Sequence, residues 1–303
     1  MEQRFKKLSV GLVPPTITNR SHKSIVEQLI SYYRSFRVYS LFGSADVDYL
    51  CGLATRYAYA TLQKDDVVAM KAYALWLSLI WLIDGYFDKC RPQTSVSDID
   101  TLIKIFNLED IGNTKHPIFE VSVALYAIYL DLITPYCMGN LPAFSALTGW
   151  LIRYLKTLSV PTTPRESHKK SNSDGSPRII TLEKIHTLLE YTKWRLNSGA
   201  MMCVVWHLML FNRLTPRISS FRKIFEMAAI AVSYHNDIIS YNRDLRQKTP
   251  NLVSTVKNES DDDFNAMNKA IMITNGLYSK IAKEISRVCV CLSEEEEEKE
   301  SET

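Results

Sequence analysis

Apolar side chains recur along most of the chain at intervals of three and four residues, the spacing that places them on one face of an α-helix. Segments with this pattern span residues 25–42, 46–63, 67–90, 97–108, 118–132, 142–158, 181–210, 221–245 and 261–287. No segment shows the strict alternation of a half-buried strand. The pattern predicts an all-α helical bundle, in which two stretches, 72–83 and 199–211, are apolar on nearly all sides.

Three stretches depart from the helical pattern. Residues 1–20 predict an irregular lead-in, and residues 161–178 are polar throughout, which predicts a mobile surface loop. Residues 293–303 are acidic and of low complexity, which predicts a disordered tail. Because helical patterning continues on both sides of the loop, we expect residues 21–292 to form one domain.

Composition is that of an ordinary globular protein, with 46% hydrophobic and 23% charged residues. A net charge of +3 gives no sign of a nucleic-acid partner. The six cysteines include no CxxC pair, so we expect reduced thiols in a cytoplasmic protein. Both nearly all-apolar stretches are shorter than the roughly 20 residues that cross a bilayer, so no stable membrane insertion is expected.

A trio of oxygen-bearing residues recurs every four positions in segment 221–245: Asn236, Ser240 and Asp244. On an α-helix each step of four drifts by only about 40°, so the three share one face. Amide, hydroxyl and carboxylate oxygens suit a hard divalent cation, Mg²⁺ before Zn²⁺. The alternative interpretation is the solvated face of an amphipathic helix.

An acidic pair, Asp84 and Asp88, ends the most apolar segment. Carboxylates at a helix C-terminus oppose the helix dipole, and a bound cation would stabilise them there. The alternative is a helix end that simply reaches solvent.

A third candidate set is Arg195 with Ser198 and Gly199. A glycine inside a helical pattern costs about 1 kcal/mol relative to alanine, which indicates a local helix break that frees a backbone carbonyl. One turn earlier, the forked guanidinium of Arg195 suits phosphate oxygens. An ordinary surface arginine beside a packing glycine is the competing interpretation.

Together, the three sets resemble the motifs of short, single-domain microbial class I terpene synthases, in the family's order. The acidic pair matches the Asp-rich motif, and the trio matches the Asn/Ser/Glu metal motif. Arg195 matches the diphosphate-sensing arginine, Ser198 the linker residue and Gly199 the effector residue. The resemblance covers about residues 25–285 and implies a class I terpenoid synthase bundle enclosing an apolar active-site cavity.

The resemblance also implies a reaction. Mg²⁺ ions, three in number and replaceable by Mn²⁺, would be held by the acidic pair and the trio, and would bind the diphosphate of an acyclic isoprenoid, farnesyl diphosphate by expectation. Ionisation and cyclisation or rearrangement would then yield a terpene and diphosphate, the work of a carbon–oxygen lyase. Arg195 would sense the diphosphate and Arg243 would add a second contact. Expected aromatic liners of the substrate pocket are Trp81, Phe87, Trp206 and Tyr234.

Three features depart from the family pattern. Gly85 stands where the family often has Asp, and Asp244 is one methylene shorter than the usual Glu. No Arg-Tyr pair follows Asp244, so we expect one diphosphate contact and a lid helix to be missing.

Two alternatives remain open on the sequence. An isoprenyl diphosphate chain-elongating synthase shares the bundle but uses two Asp-rich motifs; the Asn/Ser/Asp trio disfavours it, and the aspartates at 261–263 are better explained as a helix start. A catalytically silent helical protein that binds a lipid diphosphate or a partner is consistent with Gly85. The oligomeric state, a homodimer included, is also open.

Overall fold

The structure is a computed structural model that describes residues 20–62, 66–87, 92–106, 117–137, 141–158, 187–214, 218–247, 249–257 and 261–301. Every regular element in these ranges is a helix, which confirms the predicted all-α class. The predicted loop at 161–178 and all of the predicted lead-in except Arg20 lie outside the described residues. By their contacts, the described residues fall into two compact units.

The first unit contains the N-terminal helices and residues 206–214. Its elements are α1 (Arg20–Ser35), a 3₁₀ turn (Val38–Ser40), α2 (Ser44–Thr61), α3 (Val67–Phe87), α4 (Pro92–Phe106), α5 (Pro117–Ala127), a π-helical segment (Ile128–Ile133), α6 (Thr134–Cys137) and α7 (Leu141–Leu158). Helix α3 packs against α1, α2 and the π-helical segment, and its side chains from Ala72 to Ile80 are all buried. This burial explains why α3 is apolar on every side.

An aromatic cluster fills the centre of this unit. Trp76 of α3 is 0% exposed, its ring stacks on the His207 ring with centroids 3.7 Å apart, and its indole N–H donates to the Tyr129 hydroxyl at 3.0 Å. With its face and its polar edge both occupied, Trp76 packs as a core residue.

The second unit contains α8 (Leu188–Ser198), residues 201–205 of α9 (Met201–Phe211), α10 (Ile218–Gln247), α11 (Leu252–Val256) and α12 (Asp263–Ser301). Helix α10 packs against α8, α11 and α12. The buried core of the unit comprises Tyr191, Tyr234, Ile238, Tyr241, Leu252, Val253, Ala266, Ala270 and Ile271. This packing brings the helix that bears the oxygen trio against the helix that bears Arg195.

Two helix boundaries differ from the sequence prediction. Helix α8 begins at Leu188, because Thr187 has an extended backbone (φ −127, ψ 155) and forms a reciprocal capping box with Glu190. The T-x-x-E spacing is a sequence signal for that start. Helix α12 runs to Ser301, although the acidic composition of residues 293–303 predicts disorder. Glutamate is a good helix former, so the acidic run extends the helix. The predicted domain extent, 21–292, stays a prediction.

Two helical stretches, Val67–Phe87 and Ile118–Cys137, are long and apolar enough to cross a membrane by length and composition alone. Both are longer than the apolar stretches noted in the sequence. In the first, 72% of the most apolar window is buried inside the protein. That burial is typical of a core helix.

Candidate functional site

The acidic pair maps to the C-terminal end of α3. Asp84 is half-buried, and the Tyr154 hydroxyl of α7 donates a 2.7 Å hydrogen bond to its Oδ1 atom. Because Tyr154 is only 1% exposed, this bond restricts the orientation of the carboxylate. Asp88 lies outside the described residues, so its pairing with Asp84 stays a prediction. At Gly85 an added Cβ would meet nothing within 4 Å, so space alone does not require glycine there.

Three of the predicted aromatic liners lie in the first unit. Trp81 is half-buried and meets the Tyr57 ring edge-on, with centroids 5.6 Å apart. Phe87 is 8% exposed and Trp206 is half-buried. The predicted contact of these rings with substrate stays a prediction.

The oxygen trio lies on α10, and its members differ in exposure. Asn236 is exposed, Ser240 is half-buried and Asp244 is 4% exposed. The Ser240 hydroxyl donates to Asp244 Oδ2 at 2.5 Å, and Arg243 Nε lies 3.1 Å from Asp244 Oδ1. The helix therefore brings a hydroxyl and a carboxylate together, with an arginine at the second carboxylate oxygen.

This donor set fits a hard cation. The described part of the chain holds no group of three or more His, Cys, Asp and Glu residues suited to a metal ion. A metal on α10 would therefore depend on amide and hydroxyl oxygens beside one carboxylate, which suits Mg²⁺ better than Zn²⁺. The Arg243 side chain is 55% exposed, so it is free to leave Asp244 Oδ1 when a cation takes that oxygen.

Arg195 forms a buried ion pair with Asp237, a residue to which the sequence motifs assign no role. Its Nη2 atom lies 2.8 Å from Asp237 Oδ1, and the two side chains are 14% and 1% exposed. Tyr191 donates to Asp237 Oδ2 at 2.5 Å. Burial raises the pKa of Asp237, and the adjacent Arg195 charge and the Tyr191 hydrogen bond oppose that rise.

Tyr234, the fourth predicted liner, belongs to the same buried cluster. It is 2% exposed, stacks on Tyr191 with ring centroids 6.1 Å apart, and shares a short hydrogen bond with the Thr192 hydroxyl. Its packing explains its burial, and its predicted role in substrate binding stays a prediction.

Asn251 connects the trio to this cluster. Its side-chain Nδ2 donates to Asp244 Oδ2 at 2.8 Å and to the Asp237 backbone carbonyl at 2.7 Å. Sequence reasoning assigned no role to Asn251. It missed the roles of Tyr191 and Asp237 entirely, because these bonds join residues from different helices.

A helix break lies at the predicted position after Arg195. Helix α8 ends at Ser198, α9 begins at Met201, and Ala200 between them has φ 53. Such a left-handed conformation is uncommon for a residue with a Cβ atom. The strained residue is thus Ala200, whereas Gly199 has an ordinary φ of −86.

Gly199 is required by a close approach. A Cβ atom at this position would lie 2.7 Å from Ser233 Oγ of α10 and 3.2 Å from the Arg195 carbonyl oxygen. The glycine therefore allows the break to pack directly against the helix that carries the oxygen trio.

We expect Gly199→Ala to lower the free energy of unfolding by about 1–3 kcal/mol, as overpacking does elsewhere. Adding Ser233→Ala should recover most of that loss, because it removes the oxygen at 2.7 Å. Urea denaturation followed by circular dichroism measures both effects. Gly276→Ala on α12 is the matched control: its Cβ meets nothing within 4 Å, so we expect a gain of about 0.5–1 kcal/mol. A Gly199→Ala variant as stable as the wild type would contradict the close approach.

The family model of terpene synthase family 2, C-terminal metal binding, matches residues 180–281. This range includes Arg195, the oxygen trio and Asn251. A search of curated proteins finds no match.

Solved structures resemble nearly the whole chain. A hedycaryol synthase in complex with HEPES is 14% identical with a TM-score of 0.68, over 96% of this chain and 89% of its own. Germacradien-4-ol synthase from Streptomyces citricolor is 13% identical with a TM-score of 0.62, over 91% and 85%. A linalool/nerolidol synthase from Streptomyces clavuligerus, in complex with 2-fluorogeranyl diphosphate, is 11% identical with a TM-score of 0.59, over 91% and 86%. At these identities the likeness establishes the fold, and it confirms the predicted fold class.

Proposed function

We propose that this chain, which has the class I terpene synthase fold and the metal-binding region of terpene synthase family 2, ionises an acyclic isoprenoid diphosphate in a Mg²⁺-dependent reaction. The fold and the matched family region support its assignment as a terpene synthase. The substrate, the metal ion and the ring chemistry are the proposal. We expect farnesyl diphosphate as the substrate, and a cyclised or rearranged terpene with free diphosphate as the products.

One observation carries the proposal. Within the second unit, Arg195 is tied to α10 through Asp237, and the same stretch of α10 presents the Ser240–Asp244 oxygen pair. One hydrogen-bonded cluster thus contains both a guanidinium that can bind phosphate oxygens and oxygen ligands that can bind a hard metal ion. A diphosphate complexed with Mg²⁺ needs both kinds of group.

Two arginines would bind the diphosphate. Arg195 is oriented by a buried carboxylate, so little side-chain entropy is lost when its fork meets phosphate oxygens. Arg243 is more exposed and would move from Asp244 to the departing diphosphate. Both positive charges would stabilise the charge that develops on the leaving group.

The helix break would stabilise the carbocation. The last turn of α8 leaves backbone carbonyls without partners inside the helix, and the negative end of the helix dipole favours a cation nearby. Ser198 and Gly199 form this end, and the conformation of Ala200 separates it from α9.

Metal ligands in this proposal come from both motifs: Asp84, Asp88, Asn236, Ser240 and Asp244. Bound Mg²⁺ supplies Lewis-acid stabilisation of the leaving diphosphate, with three ions as the proposed number and Mn²⁺ as a substitute. Tyr154 would hold the Asp84 carboxylate in orientation.

We also propose that Trp81, Phe87, Trp206 and Tyr234 contribute aromatic surface that excludes water and stabilises cations through ring faces. The enzyme would work in the cytoplasm, without nucleic acid or a membrane-inserted segment. Burial of α3 inside the protein supports the last point for the first of the two long apolar stretches.

The test is incubation of the purified protein with geranyl, farnesyl and geranylgeranyl diphosphates in the presence of Mg²⁺, followed by mass spectrometry of the hydrocarbon extract. We expect a terpene from farnesyl diphosphate, and none when the metal is chelated. No product from any substrate would favour the catalytically silent protein. A product that requires added isopentenyl diphosphate would favour the chain-elongating class.

A further inference from the structure

The short helix α11, directly after the oxygen trio, begins with a fully buried asparagine. Asn251 is 0% exposed, and its Oδ1 accepts from the Val253 backbone N–H at 2.9 Å, the usual bond of a helix N-cap. The amide nitrogen does something different: it donates to Asp244 Oδ2 and to the Asp237 backbone carbonyl. Capping explains the oxygen of this side chain but not its two donated bonds.

The donated bonds constrain a carboxylate that the proposed function uses as a metal ligand. Asp244 is 4% exposed, and its Oδ2 accepts from both Asn251 and Ser240. A buried carboxylate held by two donors at one oxygen has one preferred orientation, which directs the other oxygen away from them. Hydrogen bonds of this kind orient metal ligands, and losing them typically weakens metal binding about 10–100-fold.

Asn251 also contacts the residue that pairs with Arg195. Its amide donates to the backbone carbonyl of Asp237, and the Asp237 carboxylate forms the ion pair with Arg195. One side chain therefore contacts residues on the metal-ligand side and on the diphosphate side of the candidate site.

We propose that Asn251 is a positioning residue. Its amide N–H groups hold Asp244 in its metal-binding orientation and fix the position of Asp244 relative to the Arg195–Asp237 pair. The inference rests on the proposed function, and it assigns a role outside the three motifs. Asn251 acts through Asp244 and is not itself a ligand of the metal or the diphosphate.

The test separates the donor role from the cap role. Asn251→Ser retains an oxygen that can cap α11 but loses the amide donor. The measurement is the thermal shift of the protein during titration with Mg²⁺ at a fixed concentration of inorganic diphosphate, which reports binding without turnover. We expect the Mg²⁺ concentration for half-maximal stabilisation to rise about 10–100-fold relative to the wild type.

Thr255→Val is the matched control. Its hydroxyl donates to the Asn251 backbone carbonyl at 3.0 Å, so the substitution weakens the same short helix without touching the amide. We expect a lower melting temperature and an unchanged Mg²⁺ requirement. Asn251→Thr, which retains a capping oxygen and loses the same donor, should reproduce the serine result if the serine variant folds poorly.

The outcomes are distinct. An unchanged Mg²⁺ requirement in folded Asn251→Ser or Asn251→Thr would overturn the positioning role and leave the proposed function standing. An equal increase in the Thr255→Val control would also overturn it, because loss of helix stability would then suffice. If the wild type shows no stabilisation by Mg²⁺ with diphosphate, the proposed function fails and this inference fails with it.

Discussion

Alanine at Asn236 is expected to lower turnover of farnesyl diphosphate by about a thousandfold. Lewis-acid stabilisation of a leaving group is worth several kcal/mol, and each 1.36 kcal/mol corresponds to a tenfold change in rate. Asn236 is exposed, so its removal should change the free energy of unfolding by less than about 0.5 kcal/mol. The measurements are steady-state turnover with saturating Mg²⁺ and urea denaturation of the same preparations. Asp84→Ala should lose turnover to a similar degree.

The matched control is Asn242→Ala on the same helix. Asn242 is also an exposed asparagine, but it lies outside the four-residue spacing of the trio. We expect turnover within about twofold of the wild type, because its side chain has no place in the ligand set. Near-wild-type turnover in Asn236→Ala would show that α10 does not hold the metal through this face.

Removal of the Arg195 guanidinium is expected to lower both the free energy of unfolding and the turnover. The Asp237 side chain is 1% exposed, and in Arg195→Met its carboxylate loses its ion partner. Breaking a buried ion pair in this way costs about 3–5 kcal/mol. Turnover should fall by at least about a hundredfold, the usual cost of losing one donor to a developing anion. Urea denaturation and turnover assays measure the two effects separately.

A double variant distinguishes the structural from the catalytic contribution. In Arg195→Met/Asp237→Asn both charges are gone, and the amide oxygen can still accept from Tyr191. We expect most of the lost stability to return, because the uncompensated buried charge is the main cost. Turnover should stay low. Recovered turnover in the double variant would mean that Arg195 serves the fold and does not bind the diphosphate.

Local patterns predicted the parts of the candidate site that lie within single helices. The spacing of Asn236, Ser240 and Asp244 requires only the geometry of one helix, and the structure brings the Ser240 and Asp244 side chains together. The break after Arg195 followed from a glycine in a helical pattern. The start of α8 at Leu188 was missed although the capping-box spacing of Thr187 and Glu190 is visible in the sequence.

The bonds that organise the site were beyond the reach of such patterns. Tyr191 and Asp237 are 46 positions apart, and Tyr154 and Asp84 are 70 apart. Helical periodicity states which face of a helix a residue occupies, but not which other helix covers that face. The need for glycine at position 199 is likewise set by Ser233 of another helix.

The sequence alone determined that this chain is helical, that it carries an oxygen trio on one helix face and that its arginine precedes a helix break, because each of these depends on neighbours within one or two turns. Only the tertiary structure decided that Arg195 pairs with Asp237, that Asn251 donates to Asp244 and that Tyr154 holds Asp84. These contacts arise when helices pack, and packing depends on the shapes of all the surfaces that meet.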